Sequence, residues 1–237
     1  MNLIEVGRLS LNNVTTWSNG DILVANSNIE NNDVFLISCG GNMTMTGFGG
    51  FVNKAGGKVN KTAGGTNRFD IPFSTSGTFL LNSSVMEFKQ SFVQDGGLTD
   101  LGLNSWLKIS GVQQRYNLNG GVLKGGGEIE GGLTNGGEIR IEDNRTITVT
   151  QDYTQLAGGK LSYKQNAGGW GAFKVTGTAT LDGTLLVDSA GLPVGAGFNV
   201  VEAGTLVGQF SDTSTPGYLV GYDLSGAPKR VFLIPIV

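Results

Sequence analysis

The chain has 237 residues, of which 40 are Gly, 5 are Pro, one is Cys and none is His, and its formal net charge is −3. Glycine at this level without a Gly-x-y period excludes collagen, and regularly spaced hydrophobic residues, 39% of the total, exclude a disordered chain. The negative net charge gives no basic footprint for nucleic acid. No apolar run reaches the roughly 18 residues that a membrane-spanning helix needs.

Residues 1–65 alternate short apolar runs with corners rich in Asn and Gly. Apolar residues recur in 22–24, in 34–37 and at 43 and 45, which predicts strands. Residues 51–65 repeat a short unit, Lys-Ala-Gly-Gly followed by Lys-Thr-Ala-Gly-Gly. We expect the lysines of this segment to lie on a solvated edge: Lys54, Lys58 and Lys61.

Three further strands are predicted in 67–103, and each carries one or two phenylalanines. Because strand side chains alternate between two faces, we expect the rings to form one inward aromatic stack. A sugar-binding platform is the alternative for the same residues: Phe69, Phe73, Phe79, Phe88 and Phe92.

The most regular stretch is 118–141, LNGGVLKGGGEIEGGLTNGGEIRI, in which apolar positions alternate with Gly-Gly corners every six to ten residues. Gly at this density would cost a helix about 1 kcal/mol per residue, whereas tight corners use its freedom at φ > 0. Next, Thr146, Thr148 and Thr150 alternate with Ile147 and Val149, which predicts a strand with one solvated face.

The C-terminal segment is more apolar, and we expect it to supply the last coils and a closing strand or hairpin. Residues 231–237, VFLIPIV, are apolar on both strand faces. We expect this segment to be ordered and buried, either within the chain or against another copy.

Strands this short, bounded by Gly throughout, predict an all-β chain with almost no helix: a single right-handed parallel β-helix, or β-solenoid. A coil of about 20 residues gives on the order of 11 coils, each advancing about 4.8 Å. We expect coils over residues 1–171, and the last coils with a C-terminal cap over 172–237, continuous with the first part.

The run from Leu118 to Phe210 resembles bacterial secreted β-helix proteins, namely autotransporter passenger-like adhesins and related large exoproteins. The resemblance is carried by LNGGVLKGGGEIEGG, by ITVTQDYTQLAGGKLSYK and by FKVTGTATLDGTLLVD. It implies an exported product exposed at the cell surface. Two places depart from the family pattern: Trp170-Gly171 stands where Tyr-Asp is frequent, and Glu142 to Arg145 replace a Pro-Gly corner.

The sequence contains one dense cluster of acidic residues that could support catalysis. Polysaccharide hydrolysis needs two carboxylates roughly 5–10 Å apart, and exposed strand charge is the alternative role for such acids. If residues 127–130 stack beside 137–140, Glu130 would pair with Arg140. The densest acidic cluster is Glu128, Glu130, Glu138, Glu142 and Asp143.

Other site chemistries have weaker signals in this sequence. Cys39 has no His to act as a base, and neither the calcium-roll nonapeptide nor a phosphate-binding loop motif is present. We nominate no catalytic, cofactor or metal residue, although isolated calcium between coils stays open. Five aromatic residues could stack on a sugar if they were exposed: Trp17, Trp106, Trp170, Tyr153 and Tyr163.

The expected function is a non-enzymatic, extracellular structural or adhesive β-solenoid module of a bacterial surface or secreted assembly. A polysaccharide hydrolase or lyase, and a filament subunit joined through solenoid ends, are the alternatives. The expected partners are a surface glycan, a ligand on a host or neighbouring cell, or further copies of the chain. We expect neither nucleic acid nor a membrane span.

Overall fold

The computed structural model describes residues 2–4, 7–62, 64–110, 115–142, 144–164, 169–188 and 197–236. All regular structure in these residues is β-strand. The first thirteen strands are β1 (Asn2–Ile4), β2 (Arg8–Leu11), β3 (Thr15–Trp17), β4 (Ile22–Asn31), β5 (Val34–Ile37), β6 (Gly41–Asn53), β7 (Lys58–Lys61), β8 (Thr66–Asp70), β9 (Phe73–Thr75), β10 (Thr78–Leu81), β11 (Val85–Phe88), β12 (Phe92–Gln94) and β13 (Leu98–Ile109).

The remaining strands complete one continuous sheet. They are β14 (Arg115–Leu118), β15 (Val122–Glu130), β16 (Gly132–Asn135), β17 (Glu138–Glu142), β18 (Thr146–Val149), β19 (Tyr153–Gln155), β20 (Lys160–Lys164), β21 (Ala172–Leu181), β22 (Thr184–Asp188), β23 (Phe198–Gly208), β24 (Asp212–Ser214), β25 (Tyr218–Asp223) and β26 (Lys229–Pro235).

The strands form three parallel faces, and each coil crosses them in the order A, B, C. Face A contains β1, β8, β11 and β18, the first halves of β4, β6, β21 and β23, and the second halves of β13 and β15. Face B contains β2, β9, β12, β14, β16, β19 and the second halves of β4, β6, β21 and β23. Face C contains β3, β5, β7, β10, β17, β20, β22, β24 and the first halves of β13 and β15.

The predicted β-helix is confirmed, but its coils are less uniform than the expected 20 residues. Paired residues lie as few as 16 positions apart, at Val122 and Glu138, and as many as 28 apart, at Val175 and Ala203. Face C contains ten parallel strands in the described residues. This is one strand fewer than the expected number of about eleven coils, because the chain after β24 forms an antiparallel hairpin instead of another coil.

The core runs along the axis and contains the aromatic stack predicted from the sequence. All five phenylalanines of 67–103 are buried. On face B, the ring of Phe73 stacks between Phe51 at 5.4 Å and Phe92 at 5.2 Å, with interplanar angles of 14° and 6°. These positions are buried core, which rules out the alternative of a sugar-binding platform there.

A buried polar ladder lies beside this core at the corner between faces B and C. Asn31 donates from Nδ2 to Oδ1 of Asn53 at 2.8 Å, and Asn53 donates to Oγ1 of Thr75 at 3.0 Å. Amide side chains can satisfy the backbone carbonyls that a corner leaves without strand partners. The same register position continues along the solenoid through Thr75, Gln94, Leu118, Asn135 and Gln155.

The C-terminal cap is an antiparallel hairpin, as expected. Strand β26 pairs with β23 on one side and β25 on the other. Val231 and Leu233 are buried, whereas Ile234 and Ile236 are 43% and 61% exposed. The segment is ordered as expected, but the expectation that both of its faces are buried is wrong within this chain, because β25 and β23 lie beside β26 rather than over its outer surface.

Candidate functional site

The acidic cluster nominated from the sequence is divided between two faces of the solenoid. Glu128 and Glu130 lie on the outer surface of face A. Glu138 and Glu142 lie on the outer surface of face C, and Asp143 lies outside the described residues. Strand β16 on face B lies between the two pairs along the chain, so the cluster does not line one groove.

Glu130 does not pair with Arg140, because the stacking of 127–130 beside 137–140 on which that pairing depended does not occur. Residues 127–129 stack beside 147–149 on face A, not beside 137–140. Glu130 instead forms an ion pair with Lys108, with Oε2 and Nζ 3.0 Å apart. Arg140 lies 2.9 Å from Glu138, two positions along its own strand. Strand β15 spans a corner, so its first half pairs with β17 on face C and its second half with β18 on face A.

Glu138 shows what these ion pairs do to a carboxylate. Partial burial raises the pKa of this group, but hydrogen bonds from Arg140 and Ser162 and the nearby charges of Arg140 and Lys160 outweigh it, so the net pKa is lowered. Such a carboxylate stays ionised at neutral pH. This is the behaviour of a structural ion pair rather than of a general acid, which needs a raised pKa.

Four of the five aromatic residues considered for sugar stacking belong to the core. Trp17, Tyr153 and Tyr163 are buried. The indole of Trp170 lies between the rings of Tyr163 and Phe198, with centroids at 5.1 and 4.4 Å. Both faces of that indole are therefore covered by protein.

Trp106 is the exception, with 37% of its surface exposed on face A. It lines a surface groove of about 410 Å³, together with Leu103, Asn104, Glu128, Thr146 and Thr148. We call this the Trp106 groove. Trp106 and Glu128 occupy the same register position on successive coils, and Thr148 follows on the next. Their side chains therefore project side by side, about 4.8 Å apart along the axis.

The shape of the Trp106 groove comes from its corners. Asn104 adopts a left-handed conformation (φ 59°), which short polar side chains tolerate. On the next coil the corner is glycine, and a Cβ on Gly126 would lie 3.4 Å from Leu103 and 3.2 Å from Arg145. Gly126 and Gly127 therefore line the groove without side chains, and Leu103 and Arg145 of the adjoining coils pack against Gly126.

A second groove of about 310 Å³ continues along face A. It is lined by Thr148, which it shares with the Trp106 groove, and by Lys174, Glu202 and Pro228. Lys174 and Glu202 form an ion pair at 3.3 Å. The two recesses therefore follow one line along the solenoid axis.

Lys61 corrects the expectation of a solvated lysine edge. Its side chain is fully buried, and Nζ donates to the carbonyl oxygen of Cys39 at 2.9 Å. Burial lowers the pKa of this ammonium, and the interaction with Cys39 partly opposes that effect. Lys61 points inward because it is the last residue of β7, whose alternation buries Val59 and Lys61 together.

Trp106 and Glu128 are both candidates from the sequence, one as an aromatic residue and the other within the acidic cluster, but the sequence does not show that they are neighbours. Asn104, Thr146 and Thr148 are groove residues that the sequence does not predict. The register offset of 22 between Trp106 and Glu128 was the missing information.

Comparisons of the chain with family models, with curated proteins and with solved structures found no match. The part of the chain that the structure describes contains no helix long and apolar enough to cross a membrane. The fold and the Trp106 groove are therefore the basis for a functional proposal.

Proposed function

We propose that this chain is a stiff, non-enzymatic β-solenoid module that acts outside a bacterial cell, as a structural and adhesive part of a surface or secreted assembly. The observation that carries the proposal is the uninterrupted parallel stack, in which face C alone aligns strands from β3 to β24. Each coil hydrogen-bonds to its neighbours, so bending the rod requires many bonds to distort together.

Two features add stiffness without a disulfide. The buried ladder that starts at Asn31 and Asn53 links neighbouring coils through side chains. Ion pairs on the outer faces also join coils, for example Lys108 with Glu130 and Lys124 with Glu142. A rod of this kind suits a role in which a binding surface is held away from a cell.

The division of the acidic cluster favours this role over polysaccharide cleavage. Glu130, Glu138 and Glu142 are each held by a basic side chain. Hydrolysis needs two carboxylates that flank one scissile bond, whereas Glu130 lies on face A and Glu138 and Glu142, each held in an ion pair, lie on face C. The sequence resemblance to exported β-helix adhesins supports placing the module at the cell surface.

The test is to display the chain on a carrier bacterium through an outer-membrane anchor. We expect displayed cells to adhere to glycan-coated or cell-coated surfaces more than cells carrying the anchor alone, and the purified protein to appear as rods by electron microscopy. A panel of polysaccharides should yield no new reducing ends or unsaturated products. Turnover of any of them, or adhesion equal to that of the anchor alone, would reject the proposal.

Self-assembly is a second candidate, favoured by the outer surface of the C-terminal hairpin. Leu219 and Ile234 are cross-strand partners and are 60% and 43% exposed. Sedimentation velocity of the purified chain tests this role. Oligomers that dissociate in a Leu219→Ser, Ile234→Ser double variant would support it, and a monomer at all concentrations would reject it.

A further inference from the structure

We propose that the Trp106 groove binds a neutral glycan. This inference rests on the proposed adhesive function and names its ligand class and its site. It is carried by three observations on face A: an exposed indole, a carboxylate without an ion-pair partner, and hydrogen-bonding side chains that the fold leaves unused.

The indole is the first observation. Trp106 is the exposed member of the three tryptophans, since Trp17 is 3% exposed and Trp170 is stacked within the core. A large exposed aromatic side chain leaves apolar surface in water, which a ligand with an apolar face can cover. Pyranose rings present such a face through their C–H groups.

The carboxylate is the second observation. Within the described residues, every other glutamate has a basic partner within 3.4 Å: Glu30, Glu87, Glu130, Glu138, Glu142 and Glu202. Glu128 has no ion pair or hydrogen bond in that part of the chain, although it lies half-buried beside Trp106. A carboxylate accepts strong hydrogen bonds from hydroxyl groups, so Glu128 is suited to hold a ligand.

The third observation is the set of neutral polar groups around these two. Asn104 projects from its corner, and Thr146 and Thr148 face the groove from the next coil. None of their side chains is hydrogen-bonded to a described residue. Amide and hydroxyl groups both donate and accept, which matches the mixed hydrogen bonding of sugar hydroxyls.

The charges around the groove select the ligand class. Lys108 places Nζ 4.0 Å from the centroid of the Trp106 ring and already supplies a cation–π contact there. A cationic ligand would have to displace Lys108, which is paired with Glu130 at 3.0 Å, from this ring, and an anionic ligand would be repelled by Glu128. A neutral hydroxylated ligand avoids both costs.

The direction of the groove indicates a linear ligand. Trp106, Glu128 and Thr148 follow one another along the axis, and Thr148 leads into the second recess. Successive side chains are about 4.8 Å apart, so the line from Trp106 to Thr148 is about 10 Å long. An oligosaccharide lying along the axis would contact all three.

The experiment uses the purified chain with hexasaccharide probes: cellohexaose, maltohexaose and mannohexaose as neutral probes, a galacturonate hexamer as an anionic probe and a glucosamine hexamer as a cationic one. Binding is measured by calorimetry and by acrylamide quenching of tryptophan fluorescence. The exposed Trp106 should contribute most to this quenching, and a bound ligand should protect it. We expect at least one neutral probe to bind and to reduce quenching. Trp106→Ala and Glu128→Gln should each weaken that binding by about tenfold or more, which is about 1.4 kcal/mol.

The controls are Phe48→Ala, which removes another exposed aromatic side chain, and Glu30→Gln, which removes a paired glutamate on the same solenoid. Both should bind like the unaltered chain. Circular dichroism checks the fold of each variant, and Glu128→Gln, a nearly isosteric change, keeps the test valid if Trp106→Ala does not fold. Binding only to a charged probe, binding to none, or equal binding by the Glu128→Gln variant would overturn the inference.

The display assay separates this inference from the proposed function. If cells displaying Glu128→Gln adhere as strongly as cells displaying the unaltered chain, the adhesive function holds and the groove assignment fails. If the unaltered chain binds a neutral hexasaccharide but does not mediate adhesion, the groove assignment holds and the adhesive function fails.

Discussion

The side chain of Asn31 donates from Nδ2 to Oδ1 of Asn53 across two consecutive coils, at 2.8 Å, and both residues are fully buried. Asn31 also donates to the carbonyl of Asp33, and Asn53 to that of Thr78. Asn31 therefore binds the corner that follows it, and each asparagine also binds a face C carbonyl of the next coil, Lys58 for Asn31 and Thr78 for Asn53. The polar ladder fixes the register of the stack in a way that apolar side chains cannot, because its bonds are directional.

Replacement of Asn53 by Ala should destabilise the chain by about 2–3 kcal/mol, because it leaves buried groups on Asn31, Thr75 and Thr78 without this partner. Denaturation by urea measures the loss. The matched control is Asn82→Ala, which removes an exposed asparagine bond to Asn60 and should cost less than about 1 kcal/mol. Equal losses in the two variants would contradict a special role for the buried ladder.

The fold class followed from the sequence because local chemistry decides it. The alternation of Ile147 and Val149 with threonines, and the Gly-Gly corners of 118–141, each restrict the backbone within a few residues. The inward phenylalanines were predictable for the same reason.

The candidate site was not predictable to the same degree, because it depends on register. Trp106 and Glu128 are adjacent only because one coil between them has 22 residues, whereas coils elsewhere range from 16 to 28. A shift of one residue would turn Glu128 toward the core. The same dependence explains why Glu130 does not meet Arg140, whereas the unexpected burial of Lys61 follows from side-chain alternation along β7.

Gly49 is a position where the fold requires glycine. Its φ is +136°, and a Cβ there would lie 1.8 Å from the carbonyl oxygen of Ser27 on the preceding coil. Gly49→Ala should therefore lower the free energy of unfolding by more than about 3 kcal/mol. Gly64→Ala is the control, since a Cβ on Gly64 meets nothing within 4 Å, and its urea midpoint should stay close to that of the unaltered chain. A stable, native-like Gly49→Ala variant would show that the corner can rearrange.

Lys61 should make stability depend on pH in a predictable direction. Burial lowers the pKa of its ammonium from 10.5, so the unfolded chain holds this proton more tightly than the folded chain does. The free energy of unfolding therefore rises with pH between the lowered pKa and 10.5. Below that range the ammonium is charged in both states, and the full destabilisation caused by burying it is present. Lys61→Met removes the charge at nearly constant volume.

We expect the Lys61→Met variant to gain most in melting temperature, relative to the unaltered chain, at the acidic end of that range, and to lose this gain as the pH approaches 10.5. The buried tyrosines are present in both proteins, so their ionisation cancels in the difference. Lys58→Met, on the outer face of the same strand, is the control and should show no such trend. A pH-independent difference for Lys61→Met would mean that its charge state does not change in this range.

The C-terminal hairpin gives a test with neighbouring residues on opposite faces of one strand. Leu233 is fully buried on β26 between Phe198 of β23 and Val220 of β25, whereas Ile234 is 43% exposed. Leu233→Ala leaves a cavity at the end of the core and should cost about 2–5 kcal/mol. Ile234→Ala removes a similar volume from the outer surface and should cost less than about 1 kcal/mol.

Thermal unfolding by circular dichroism measures both, and deletion of residues 231–237 should lower the melting temperature further, because it removes the middle strand of the cap. If Leu233→Ala and the deletion both melt with the unaltered chain, the hairpin does not stabilise the solenoid. If Ile234→Ala proves as costly as Leu233→Ala, the outer surface is covered in solution, and a concentration-dependent melting temperature would identify another copy as the cover.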